Sequence, residues 1–137
     1  MPAERENCPY LFVYGTLRRA AHTEWSRVLC TVSDCIGGAR TRGALFQLGK
    51  YPGFVPSGAD EWVTGEVCRL HDPSTLLPKL DAYEGCGPDD PPPHEYRREL
   101  IEVVIESGET IRAWAYIYCL STADRPRIAS GDYLNAR

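Results

Sequence analysis

The chain is poor in the features that announce a partner or a cofactor. No long basic run occurs; Arg18-Arg19 and Arg97-Arg98 are only pairs, and 15 basic residues face 19 acidic ones for a net charge of −4. Nucleic acid and anionic membrane surfaces are therefore poor expectations as partners. No stretch approaches the ~20 apolar residues of a membrane span. The first residues, Met-Pro-Ala-Glu-Arg-Glu-Asn, carry no apolar signal-peptide core. No Cys-x-x-Cys is present among Cys8, Cys30, Cys35, Cys68, Cys86 and Cys119. Without an export signal these read as reduced thiols in the cytoplasm, with Cys68 and Cys119 suited to a core. Internal repeats and low-complexity linkers are missing. So are a Gly-x-Ser-x-Gly elbow, a phosphate loop and a dinucleotide fingerprint.

What is there suits one domain over residues 1–137. Hydrophobic residues make up 43% and charged residues 25%, as in an ordinary globular protein. Leu11–Tyr14 is a compact apolar run that favours a strand. Gly15 breaks it, and Thr16 and Leu17 lead toward a helix. A turn of this kind presents unpaired backbone N–H groups to an anion. The first helix is expected over about Ala20–Cys30, with Trp25, Val28, Leu29 and Val32 on one apolar face. Gly37-Gly38 marks a turn or bulge, and a strand runs from Ala39 to Leu48. Lys50–Pro56 reads as a turn-rich segment bearing Tyr51 and Phe54. Trp62–Leu70 alternates as a strand, with Val63, Gly65 and Val67 on one side.

Thr75 is expected to cap the second helix, leaving Pro78 within the first turn, where a missing N–H does no harm. That helix runs to about Glu84 and stops at Gly85. A proline-rich loop to His94 follows, with Asp89, Asp90 and His94 read as solvated. Strands Tyr96–Glu106 and Thr110–Leu120 flank a Ser107-Gly108-Glu109 hairpin turn. Trp114, Tyr116 and Tyr118 alternate against Ala113, Ala115 and Ile117, as on a barrel strand. The polar tail from Ser121 is expected to wrap the surface. The order β-α-β-β-β-α-β-β points to an α+β fold, a small mixed β-barrel with flanking helices.

Glu84 is the odd residue. It shares a helical face with Leu76, Leu77 and Leu80, so its carboxylate points coreward, and it lies at the negative end of the helix dipole. Both effects disfavour the charged form and raise its pKa. Such a carboxylate takes and returns a proton near neutral pH. The bland alternative is a solvent-facing helix terminus paired with an arginine. Competing sites are weaker. Cys68-x-x-His71 with Cys30 and Cys35 offers four zinc ligands but no paired knuckle. No pattern singles out a cysteine nucleophile to pair with His22, His71 or His94.

Phe12-Val13-Tyr14-Gly15-Thr16-Leu17, followed by Leu80-Asp81-Ala82-Tyr83-Glu84-Gly85, resembles the gamma-glutamylcyclotransferase-like family. The small branch with gamma-glutamylamine cyclotransferase and the plant AIG2-like proteins is the nearest match. Tyr51-Pro52-Gly53, Tyr96-Arg97, Ala115–Tyr118 and Ile128–Tyr133 extend the resemblance, in order, over nearly the whole chain. It implies a pocket at one end of the barrel. There the backbone of Tyr14, Gly15, Thr16 and Leu17 would hold the glutamyl carboxylate, and Glu84 would be the catalytic acid/base. Tyr51 and Tyr96 would be pocket walls. The implied reaction closes a γ-glutamyl amine or amide to 5-oxoproline, with no cofactor and no metal. The rival is a binding or regulatory domain that holds a small carboxylate without turnover.

Overall fold

The computed structural model describes residues 8–15, 18, 23–48 and 51–135. Their elements are β1 (Tyr10–Val13), α1 (Glu24–Thr31), β2 (Ser33–Gln47), β3 (Pro52–Pro56), β4 (Trp62–Leu70), α2 (Pro73–Tyr83), β5 (Tyr96–Ile105) and β6 (Thr110–Tyr118). A short 3-10 turn, Tyr133–Asn135, follows. The strands hydrogen-bond in the order β3-β2-β4-β1-β6-β5, and β5 returns to β2 through Ala39↔Ile105 and Arg40↔Val104. This last pairing closes five strands into a barrel, leaving β3 as a flap on the far half of β2. The β1–β6 pair is parallel and the others are antiparallel, so the barrel is mixed.

Alternation along the strands sorts the apolar side chains into two cores. Phe12, Tyr14, Val63, Val67, Val103, Ala113, Ala115 and Ile117 fill one, inside the barrel. Leu11, Val13, Trp114, Tyr116 and Tyr118 face the other way and meet Leu29 of α1 and Leu76, Leu77 and Leu80 of α2. The alternation expected of β6 is thus real, and both of its faces are buried.

Several expectations need correction. β2 begins at Ser33, well before Ala39; Gly37, at φ 134°, forms a bulge that the strand passes through. Lys50–Pro56 is not only a turn. Pro52–Pro56 pairs with Gly43–Gln47, an edge position where proline's missing N–H is tolerated. The early part of the expected first helix lies outside the described residues. Thr23 caps α1, its Oγ1 accepting from the Ser26 N–H at 3.1 Å. Its buried face is Ser26 and Leu29, while Val28 is exposed. α2 starts at Pro73 with Asp72 as cap, not Thr75. The Asp72 carboxylate accepts from the Ser74 and Thr75 hydroxyls instead of the backbone. Pro78 therefore sits inside the helix. The carbonyl it leaves unpaired belongs to exposed Ser74, where water can satisfy it.

Cys119 is exposed and only Cys68 is buried; all six cysteines are free. His94 is half-buried, its Nε2 2.9 Å from the Asp90 carbonyl oxygen. The tail does more than wrap the surface. The Gln47, Ile128 and Thr64 N–H groups bond the Pro126, Leu45 and Gly131 carbonyls, and Ile128 enters the barrel core. Among the described residues no helix is long and apolar enough to cross a membrane.

Candidate functional site

The site is built where β1, β3 and the end of α2 converge. β1 delivers Tyr14 and Gly15 to the end of the barrel. The Arg18 N–H bonds the Gly15 carbonyl at 3.0 Å, closing a turn. Thr16 and Leu17, the middle of that turn, lie outside the described residues. Arg18 is buried, and its guanidinium lies 2.6 Å from Asp132 and 3.6 Å from Glu66. The turn is thereby tied to the tail and to β4. At Gly15 a Cβ would come within 2.7 Å of the Pro52 ring, so only glycine lets the turn pack this closely on β3.

α2 delivers Glu84. Leu76, Leu77 and Leu80 anchor the helix against the barrel. Glu84 is its C-cap residue, and Gly85 follows at φ 76°. The Cys86 N–H bonds the Asp81 carbonyl at 2.9 Å and the Gly85 N–H bonds the Ala82 carbonyl at 3.2 Å. This paired closure, which needs the left-handed backbone of Gly85, ends the helix sharply and fixes where Glu84 points.

A cavity of about 510 Å³ opens between these elements. Tyr14, Gly15, Tyr51, Glu84 and Tyr96, all named from sequence, line it together. Neither lysine, arginine nor histidine is among the described residues of the lining, and neither serine, threonine nor cysteine is. The tyrosine hydroxyls are largely committed. Tyr14 donates to the Tyr116 carbonyl at 2.6 Å, Tyr96 to the Pro52 carbonyl at 2.7 Å, and Tyr116 to Asp81 at 2.8 Å. Burial raises the pKa of all three, so they remain neutral.

Glu84 is pushed up to about 7, first by burial and then by the charges of Glu95 and Asp81. The helix-end argument from sequence anticipated burial; the two neighbouring carboxylates are what the fold adds. Asp81 is paired with Arg98 through a two-pronged contact at 2.7 and 3.1 Å, and Arg98 also lies over the Trp114 ring. Glu95 is the charged lining residue that sequence reasoning missed, and Tyr83 and Tyr116 are further lining residues it did not name as such. Glu95 accepts from the Tyr51 hydroxyl at 3.0 and 3.1 Å. A signal for it existed: it immediately precedes Tyr96, at the far end of the loop that begins at Glu84. Of the loop between, Gly85 lines the cavity and the residues from Cys86 to His94 do not. Its Asp90 instead accepts from the Gly87 N–H at 2.9 Å.

Among the described residues the zinc ligands considered from sequence do not assemble. No group of three His, Cys, Asp or Glu among the described residues is placed to hold a metal ion. His71 is exposed against Asp34.

A closed mixed barrel with two flanking helices and an acid-bearing pocket at one end defines the class of this protein. The family model described as "Gamma-glutamyl cyclotransferase, AIG2-like" matches residues 11–135, and the chain belongs to that family. A protein of Vibrio cholerae is 38% identical over 125 residues, 90% of this chain and 93% of that one. YtfP of Escherichia coli, named as a gamma-glutamylcyclotransferase family protein, is 35% identical over 126 residues, 91% of this chain and 96% of its own. The crystal structure of YkqA from Bacillus subtilis superposes with a TM-score of 0.68 at 30% identity. The match covers 91% of this chain but only 39% of YkqA.

Proposed function

We propose that this chain is a gamma-glutamyl cyclotransferase that converts a small γ-glutamyl amine or amide to 5-oxoproline and a free amine. The observation that carries the reading is Glu84, a carboxyl pushed up to about 7 on the wall of a cavity that also holds Gly15.

In this mechanism the backbone N–H groups of the Tyr14–Leu17 turn hold the glutamyl carboxylate. Tyr14, Tyr51 and Tyr96 confine the chain so that its α-amine lies against its side-chain carbonyl, since holding the attack geometry supplies much of the rate. The amine nitrogen bonds to the carbonyl carbon, whose π electrons move onto oxygen, and Glu84 takes the amine proton. The oxyanion then re-forms the carbonyl as the bond to the leaving nitrogen breaks. Glu84 returns the proton to that nitrogen. One carboxyl titrating near neutrality serves both transfers. No cofactor is needed for this sequence of steps.

The test is a panel of γ-glutamyl amino acids, γ-glutamyl-lysine isopeptides and γ-glutamyl peptides, assayed for 5-oxoproline. Product from at least one member is expected. A silent panel, with 5-oxoproline or glutamate still binding, would favour the non-catalytic domain.

A further inference from the structure

The wall of the cavity changes character from floor to mouth. Tyr14, Gly15, Tyr96 and Tyr116 are buried, Glu84 is half-buried, and Tyr51 and Tyr83 are exposed at 38% and 45%. Large aromatic side chains thus stand at the opening as well as inside. Each of the two exposed rings is packed on a second one. Tyr51 lies 6.3 Å from Tyr96, centroid to centroid. Tyr83 lies 5.2 Å from Trp25 of α1, at an interplanar angle of 45°. Trp25 itself packs against the outer core. The Tyr83 ring therefore rests on a fixed neighbour, while the residue lines the cavity and stays open to solvent. Tyr51 already helps to confine the glutamyl chain in the proposed mechanism; Tyr83 has no part in it.

The mechanism gives this ring an occupant. The glutamyl end is held at buried Gly15, and Glu84 must reach the leaving nitrogen to return its proton. Whatever that nitrogen carries starts beside Glu84 and has its way out along the exposed part of the wall. Tyr83 belongs to that part and immediately precedes Glu84 in the chain. We propose that Tyr83, backed by Trp25, is a specificity-determining residue that packs against the hydrocarbon body of the leaving amine, so that γ-glutamyl amides of extended alkylamines are preferred to that of methylamine. The inference rests on the cyclotransferase reading of the site. A ring already held in place loses little further freedom when a chain lies on it. Full burial of a methylene is worth about fourfold in affinity, and a half-open ring supplies about half that free energy, or about twofold.

The experiment uses the γ-glutamyl amides of the straight-chain amines from methylamine to hexylamine. Their affinities are measured by calorimetry in full-length E84Q, so that the readout needs no turnover. Affinity should rise by about twofold per methylene over the first members of the series. Adding Y83A should flatten the series, and adding Y83F, which keeps the ring, should preserve it. A series that is flat or does not bind in E84Q, an equal slope with Y83A, or a slope lost with Y83F overturns the proposal. Cyclisation of the same amides by the unaltered protein is followed alongside. A slope that depends on Tyr83 without any 5-oxoproline would refute the proposed function and leave the contact standing. 5-Oxoproline from the series without the slope would do the reverse.

Discussion

Glu84 owes its character to its burial and to two charged neighbours, Glu95 and Asp81, rather than to its own chemistry. Replacing it with glutamine keeps the shape and removes the proton exchange. E84Q should lower kcat by about 10²–10⁴, the usual worth of a general acid/base, while 5-oxoproline still binds in a calorimetric titration. In the proposed mechanism Glu84 must be ionised to accept the amine proton. The profile of kcat/KM should therefore fall as pH drops through about 7. Gly15 makes a different demand. In Gly15→Ala the new methyl meets the Pro52 ring at 2.7 Å, so the turn or β3 must shift. A loss of about 1–3 kcal/mol in urea unfolding and weaker 5-oxoproline binding are expected together.

At the scale of elements, α2 both anchors and aims the acid. Its buried leucines were legible because their three- and four-residue spacing with Glu84 is visible in the chain. Its start was not. Thr75 has the chemistry of a cap, but Pro73 with Asp72 before it prevailed, and the unpaired carbonyl opposite Pro78 found solvent. Pro78→Ala should accordingly stabilise the protein by about 1–2 kcal/mol in urea unfolding, as a helix bond is regained. Gly85→Ala should act the other way. Its φ of 76° costs a side chain about 1–2 kcal/mol, and relaxing it would turn Glu84 away from the cavity. Both stability and kcat should fall. β3 escaped the sequence because two prolines and a glycine in Pro52–Pro56 suppress every usual strand signal; edge pairing against β2 overrides that.

At the scale of the whole molecule, closure of the barrel is what brings Gly15 and Glu84, some seventy residues apart, to one cavity. Apart from β3 and the starts of β2 and α2, the strand and helix segments and the mixed barrel were readable from alternation, spacing and the ordered family motifs. Their meeting was not, because it depends on the parallel β1–β6 pair and the short β2–β5 seam, which no local pattern encodes. Glu95 was within reach, standing one residue before Tyr96, but nothing local showed that it lines the same cavity as Glu84. A buried acid also leaves a trace on global stability. Glu84 is raised from 4.5 to about 7 on folding, so the folded chain holds the extra proton between those values. Stability from this group is full below about 4.5 and is lost as pH rises through about 7. E84Q removes that loss. It should exceed the unaltered protein by up to about 3 kcal/mol at pH 8 and match it near pH 4 in urea unfolding.

The central claim is that the substrate's own amine is the nucleophile and Glu84 moves the protons. The most direct measurement follows one γ-glutamyl amine accepted in the panel, quantifying 5-oxoproline and released amine together in the unaltered protein and in E84Q. Equal amounts of the two products, with glutamate absent, and their disappearance in E84Q are predicted. Free glutamate in place of 5-oxoproline, or undiminished cyclisation by folded E84Q, would contradict it.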